Sequence, residues 1–149
     1  MEYDELIMRI ASSWRDLRRM RPRDLSIPLP VGQIDTLDAI ARLGPCSMLE
    51  LSDALRIDAS TATRAVEPLV RSGLVERERS ERDGRTVLVS LSREGRRVEY
   101  QLTAERLANV ERTLEGFSEI ERRRLADYLE RMLAAALSES VRSTSEPSR

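Results

Sequence analysis

Apolar residues recur along this chain with two different periods. From about residue 3 to 20, Leu6, Ile7, Ile10, Trp14 and Leu17 share one side of a 3.6-residue turn, with Arg9, Arg15, Arg18 and Arg19 elsewhere. That spacing predicts a helix. Arg21-Pro22 breaks it, and a proline-marked stretch from Ile27 to Pro30 leads into a second helix over about 31–43. Ile34, Leu37, Ile40 and Ala41 form its inner face, and Gly44-Pro45 is its stop. Ser47 with Glu50 has capping-box spacing, which opens a short helix over about 48–55 packed through Leu51, Ala54 and Leu55. Arg56-Ile57 makes a turn, Asp58 is an N-cap, and a third helix runs to about Ser72 with Gly73 closing it. Two helices joined by so short a turn are a helix-turn-helix candidate.

After Gly73 the period falls to two. Leu74-Val75 and Thr86–Leu91 read as strands flanking a charged tip over 77–85, with Asp83-Gly84 as turn chemistry. Ser92 caps a helix over about 93–116 with Val98, Leu102, Leu107, Val110 and Leu114 among its apolar positions. Ser118 with Glu121 is a second capping box and starts a last helix to about 137. Leu125, Tyr128, Leu129, Met132, Leu133 and Ala136 give it a continuous apolar stripe. The pattern predicts a mainly α fold with a small β-wing: an N-terminal helix and linker (1–30), a winged helix-turn-helix (31–92), C-terminal helices (93–137) and a frayed tail (138–149).

Composition narrows the function. The chain has 149 residues, 40% hydrophobic and 34% charged, which suits one packed domain with flanking helices. Histidine is absent and Cys46 is the sole cysteine, so Ser-His-Asp and Cys-His catalysis, histidine metal sites and an intrachain disulfide are excluded. No enzyme, metal or cofactor is expected. No run of 18 apolar residues exists, and the acidic start Met1-Glu2-Tyr3-Asp4-Glu5 has no signal-peptide pattern, so no membrane association is expected and the expected compartment is the cytoplasm.

The net charge of −1 argues against a nucleic-acid partner until its distribution is considered. All 25 basic residues are arginine, the better side chain for bidentate contact with phosphate or guanine, though a GC-rich genome also favours it. On a wheel of about 100° per residue, Ala62, Ala65, Val66, Leu69 and Val70 of the third helix fall together. Ser60, Arg64, Glu67, Pro68 and Arg71 fall opposite, with Thr61 and Thr63 at the edges. Short hydroxyls followed by arginine suit a helix whose first turns enter a major groove; a solvated, capped face is the equal alternative. Over 77–97, seven arginines stand against four acids. A basic hairpin in this position is a wing, although the interspersed acids also fit an ordinary charged hairpin.

Leu51-Ser52-Asp53-Ala54-Leu55, Ser60-Thr61-Ala62-Thr63-Arg64, Leu69, Gly73-Leu74-Val75-Glu76-Arg77, Asp83-Gly84-Arg85 and Leu91-Ser92-Arg93-Glu94-Gly95 resemble the MarR family of bacterial winged-helix transcriptional regulators. The resemblance is continuous from about Ile34 to Gly95, and the flanking helices match in number and place. It implies a recognition helix over Asp58–Ser72, a wing arginine at Arg85 that enters the minor groove, and Asp83 orienting that arginine through a salt bridge. Pro68 departs from the pattern, since an interior proline removes a helix hydrogen bond and crowds the carbonyl of Arg64. Glu67 repels phosphate unless it pairs with Arg71 or accepts from cytosine N4.

The resemblance further implies a homodimer with intertwined N- and C-terminal helices. The last two helices support this on their own, carrying more apolar stripe than one small winged domain covers; the alternative is an intramolecular helical hairpin. The expected function is therefore a sequence-specific DNA-binding regulator: a homodimeric repressor of a pseudo-palindromic operator, released by a small phenolic or lipophilic effector. The expected DNA-binding residues are Ser60, Thr61, Thr63, Arg64, Arg71, Arg79, Arg82 and Arg85. Trp14 and Arg18 are candidates for an effector pocket, with simple packing the commoner role for such a tryptophan. Cys46 reads as a small packing residue rather than a redox sensor. The rival function is a winged-helix protein-interaction module that does not bind DNA.

Overall fold

The computed structural model describes residues 3–19 and 26–144, with the side chains of Arg18 and of 140–144 outside the described set. The Arg21-Pro22 breaker and the tail beyond Thr144 also lie outside it. The elements are α1 (Tyr3–Arg19), α2 (Val31–Leu43), β1 (Cys46–Ser47), α3 (Met48–Leu55), α4 (Ala59–Arg71), β2 (Val75–Arg79), β3 (Val87–Leu91), α5 (Arg93–Thr113) and α6 (Glu119–Thr144). The chain forms two compact units, the first reaching to Leu107 and the second beginning at Ala108. No helix among the described residues is long and apolar enough to cross a membrane.

Local chemistry sets the boundaries of the first unit. Gly44 and Gly73 both take positive φ, at 71° and 74°, at the ends of α2 and α4 where a side chain would be strained. At the start of α3, Ser47 Oγ accepts from the Glu50 amide, and the Glu50 carboxylate accepts from the Ser47 amide at 2.8 Å. Leu37, Ile40, Leu51, Val66, Leu69, Val89 and Leu102 are wholly buried and form one cluster drawn from α2, α3, α4, β3 and α5. At about 1.5–3 kcal/mol for each large side chain removed from water, this cluster is the main favourable term holding α4 in place.

The sheet is antiparallel in the order β1-β3-β2, with Val75 opposite Leu91 and Arg79 opposite Val87. Two boundaries differ from those the sequence suggests. β1 pairs Cys46 with Val89, a two-residue strand too short to show any period. β2 runs to Arg79, so Arg77 and Arg79 belong to the strand and not to the tip. The end of the wing is stitched to the start of α5. Ser92 Oγ donates to Gly73 O at 2.6 Å and accepts from Gly95 N at 2.9 Å, and Ser92 N donates to Leu74 O. Gly95 lies so close to Leu74 that an added Cβ would stand 1.9 Å from its carbonyl oxygen.

In the second unit, Ser118 and Glu121 form the expected reciprocal cap on α6, and the Arg122 guanidinium donates to Leu114 O at 2.8 Å. α6 continues to Thr144, past the frayed end predicted near 137. No glycine or proline interrupts it there, and the Ser138 hydroxyl donates back to Ala134 O instead of competing for the backbone.

Candidate nucleic-acid interface

α4 is anchored by Ala62, Val66 and Leu69, all fully buried, which turns Ser60, Thr63, Arg64 and Arg71 outward. Asp58 caps the helix by accepting from the Thr61 amide at 2.8 Å. It also accepts from both nearby hydroxyls, Thr61 Oγ1 at 2.6 Å and Ser60 Oγ. These bonds, the Ser60 hydroxyl first, hold the Asp58 carboxyl far below the usual carboxylate range. Two consequences follow for a ligand at this end. The positive pole of the helix is already matched by a carboxylate, and the hydroxyl protons of Ser60 and Thr61 are committed to it. What these two residues offer outward is oxygen lone pairs, suited to amino groups on base edges and not to phosphate.

Arg64 NH2 reaches Thr61 Oγ1 at 3.5 Å, extending the chain from Asp58 along the helix. Thr63 Oγ1 donates to Ala59 O at 2.9 Å. Neither Arg64 nor Arg71 has an ion pair among the described residues. Pro68 sits inside α4 without ending it; the helix reaches Arg71, and Ser72 N still donates to Pro68 O at 3.0 Å. Ser60 to Arg64 precede the proline, and Arg71 follows it within the same helix.

Glu67 is paired with a partner that helical spacing does not suggest. Its Oε1 accepts from Arg77 NH2 of β2 at 2.6 Å rather than from Arg71. The Arg77 hydrogen bond, then its charge, then that of Arg71, hold the Glu67 carboxyl below its ordinary value. The signal for this pairing was the alternation in Val75-Glu76-Arg77-Glu78-Arg79. Once those residues are a strand, Arg77 and Arg79 share the face of buried Val75, and Glu76 and Glu78 take the other. Glu78, one of the four acids that dilute the charge over 77–97, is thus sorted to the face away from these arginines, while Glu81 and Asp83 lie at the tip between β2 and β3.

At the wing tip, Ser80 N donates to Thr86 O at 2.8 Å and Thr86 N to Asp83 O at 2.9 Å. Asp83 makes no salt bridge to an arginine among the described residues. Its Oδ1 accepts from the backbone N–H of Arg85 at 3.0 Å and its Oδ2 from Thr86 Oγ1 at 3.2 Å. Two residues from Asp83, the backbone amide is the nearest donor, and the carboxylate closes an Asx-type turn. Asp83 therefore fixes the backbone of Arg85 and leaves its guanidinium projecting. Arg79, Arg82 and Arg85 are exposed and carry no ion pair among the described residues.

The remaining candidates fall elsewhere. Trp14 lies on α1 and is 45% exposed in the single chain, and Arg18 is on the same helix with its side chain outside the described set. Cys46 is buried in the sheet; burial first, and the Glu50 charge second, push its thiol up, which disfavours the reactive thiolate. No group of acidic or sulfur ligands fit for a metal occurs among the described residues.

Against known proteins, a profile of the MarR family matches residues 27–86. An uncharacterized HTH-type transcriptional regulator of Mycobacterium bovis is 33% identical over 103 residues, covering 64% of this chain and 72% of that one. The crystal structure of a MarR transcriptional regulator from Methanosarcina mazei is 31% identical, with a TM-score of 0.67 over 74% of this chain and 80% of that one. The crystal structure of Streptococcus pneumoniae FabT in complex with DNA superposes with a TM-score of 0.74 over 92% of this chain and 99% of that one. At 22% identity this last likeness is one of fold.

Proposed function

The chain belongs to the MarR family of transcriptional regulators, and from that premise we propose that it binds double-stranded DNA as a homodimeric repressor working in the cytoplasm. The observation that carries this reading is the set of guanidinium groups, without ion pairs among the described residues, that one winged unit presents. Arg64 and Arg71 stand on α4, and Arg79, Arg82 and Arg85 on the wing. α4 enters the major groove with Arg64 reading guanine and Ser60, Thr61 and Thr63 lining the base edges. Arg85 enters the adjacent minor groove, where narrow A·T steps concentrate negative potential.

α1 and the C-terminal helices, expected to form the dimerisation part beside the 31–92 winged part, bring in the second copy. Their apolar stripes, Leu6, Ile7, Ile10 and Trp14 on α1 and Leu129, Met132 and Leu133 on α6, are exposed in the single chain. Two recognition helices then meet a pseudo-palindrome at half-sites about 34–36 Å apart. Release follows binding of a small phenolic or lipophilic effector near Trp14 and Arg18. DNA binding is tested by titrating duplex DNA at several salt concentrations, with fragments captured from genomic DNA set against mixed-sequence duplex. Tighter binding to captured fragments and a steep salt dependence are expected. Absence of both would favour the protein-interaction module.

A further inference from the structure

Arg77 is a wing-strand arginine whose guanidinium is held by another part of the molecule. Register places it opposite Val89, on the strand face of buried Val75, where β2 passes α4. Its NH2 donates to Glu67 Oε1 at 2.6 Å across ten residues of sequence. A guanidinium carries five N–H donors. No other acceptor for Arg77 occurs among the described residues, and the side chain remains 37% exposed. An ion pair as exposed as this contributes little to stability. Its consequence is geometric: one edge of the guanidinium is fixed and the rest is presented to solvent in a set orientation. The small cavity beside the pair, about 290 Å³, is lined otherwise by the uncharged Met48, Thr63, Val87 and Val89.

A helix in a major groove and a wing in the neighbouring minor groove must straddle the sugar-phosphate backbone between them. The residue joining helix to wing lies over that backbone. We infer that Arg77 contacts a DNA phosphate between the two grooves and that Glu67 is its positioning residue; this rests on the DNA-binding function proposed above. Glu67 would then act within the interface by aiming a cation, in place of repelling phosphate. Charge-assisted guanidinium–phosphate bonds of this geometry set register without reading sequence.

The test uses the full chain and a labelled mixed-sequence duplex, with melting curves confirming that each variant folds. Glu67→Gln is compared with the double variant Glu67→Gln/Arg77→Ala, so that the Glu67 charge is absent from both. The double variant is expected to bind about tenfold more weakly, with a salt slope shallower by about one unit for each phosphate no longer neutralised. Equal affinity and slope would overturn the inference, because Arg77 would then only neutralise Glu67. Glu67→Asp keeps the charge but falls a methylene short of Arg77. It should weaken binding several-fold, and Glu67→Asp binding as tightly as the natural chain would overturn the positioning role. A natural chain that binds no duplex at all would overturn the DNA-binding function itself, and this inference with it.

Discussion

Leu37 in the winged unit and Leu133 on α6 stand in apolar stripes of similar spacing, yet the first is wholly buried and the second 61% exposed. The contrast holds along both elements. Ile34, Leu37 and Ile40 of α2 are sealed by α3, α4 and β3 within the same unit, whereas Leu129, Met132 and Leu137 of α6 face solvent in the single chain. An amphipathic pattern therefore states that a surface will be covered without stating what covers it. In the winged unit the covering elements follow within a few tens of residues, so local sequence suffices. On α6 the stripe is exposed in the single chain, and a second copy of the chain is the proposed cover.

The largest expected effect breaks that second half of the contrast. Leu129→Glu together with Leu133→Glu would put like charges into a buried seam, and the chain should dissociate or unfold, as read by sedimentation and circular dichroism. A double variant that stays folded and sediments like the natural chain would leave the stripe a solvated face. Unaltered protein should also melt at higher temperature as its concentration rises, because association is linked to folding.

Next in size is a test of the sealed unit. Gly95→Ala would drive a Cβ to 1.9 Å from the Leu74 carbonyl oxygen, a backbone atom already accepting from Ser92. The wing and α5 must separate to admit it, at a cost of about 3 kcal/mol or more in denaturant melts. The same substitution at Gly116, in the turn before α6, meets nothing within 4 Å and should change stability by about 0.5 kcal/mol or less.

Sequence reading succeeded where one or two residues decide local geometry. The Ser47–Glu50 and Ser118–Glu121 boxes, the Asp58 cap and the glycine stops at 44 and 73 all occur as their chemistry requires. It fell short where a partner lies far along the chain or competes nearby. Glu67 had Arg71 at helical spacing, but Arg77 on a neighbouring strand reaches it at hydrogen-bond distance. The charged residues Arg77-Glu78-Arg79 read as hairpin tip by propensity, and tertiary pairing with Val87–Leu91 makes them strand. Asp58 caps α4 as its spacing predicts, yet its hold on the Ser60 and Thr61 hydroxyls changes what those residues offer a ligand.

Within the winged unit the helix and the wing should differ in kind. Arg64→Ala should cost about 1–3 kcal/mol on specific DNA and relax preference at one base step per half-site. Arg85→Ala should weaken specific and mixed-sequence duplex alike and flatten the salt slope by about one unit. Neither should alter melting, since both side chains are exposed. Equal losses on all sequences for Arg64→Ala would reassign it to phosphate, and an unchanged slope for Arg85→Ala would take the wing off the DNA.

The smallest effect separates backbone from charge at the wing tip. Asp83 holds the Arg85 amide and the Thr86 hydroxyl, and no guanidinium among the described residues. Asp83→Asn keeps an oxygen that accepts from the Arg85 N–H, so the turn should persist and the Arg85 amide should exchange with solvent no faster. Losing a negative charge beside DNA should then make binding slightly tighter. Asp83→Ala loses the acceptor as well; the tip should loosen, the Arg85 amide should exchange faster, and the entropy of fixing it on DNA should offset the gain in charge. Salt titrations beside amide exchange decide between the two origins. An ion pair to Arg85 would require Asp83→Asn and Asp83→Ala to weaken binding equally, whereas the Asx turn requires them to part, with Asp83→Asn the tighter of the two.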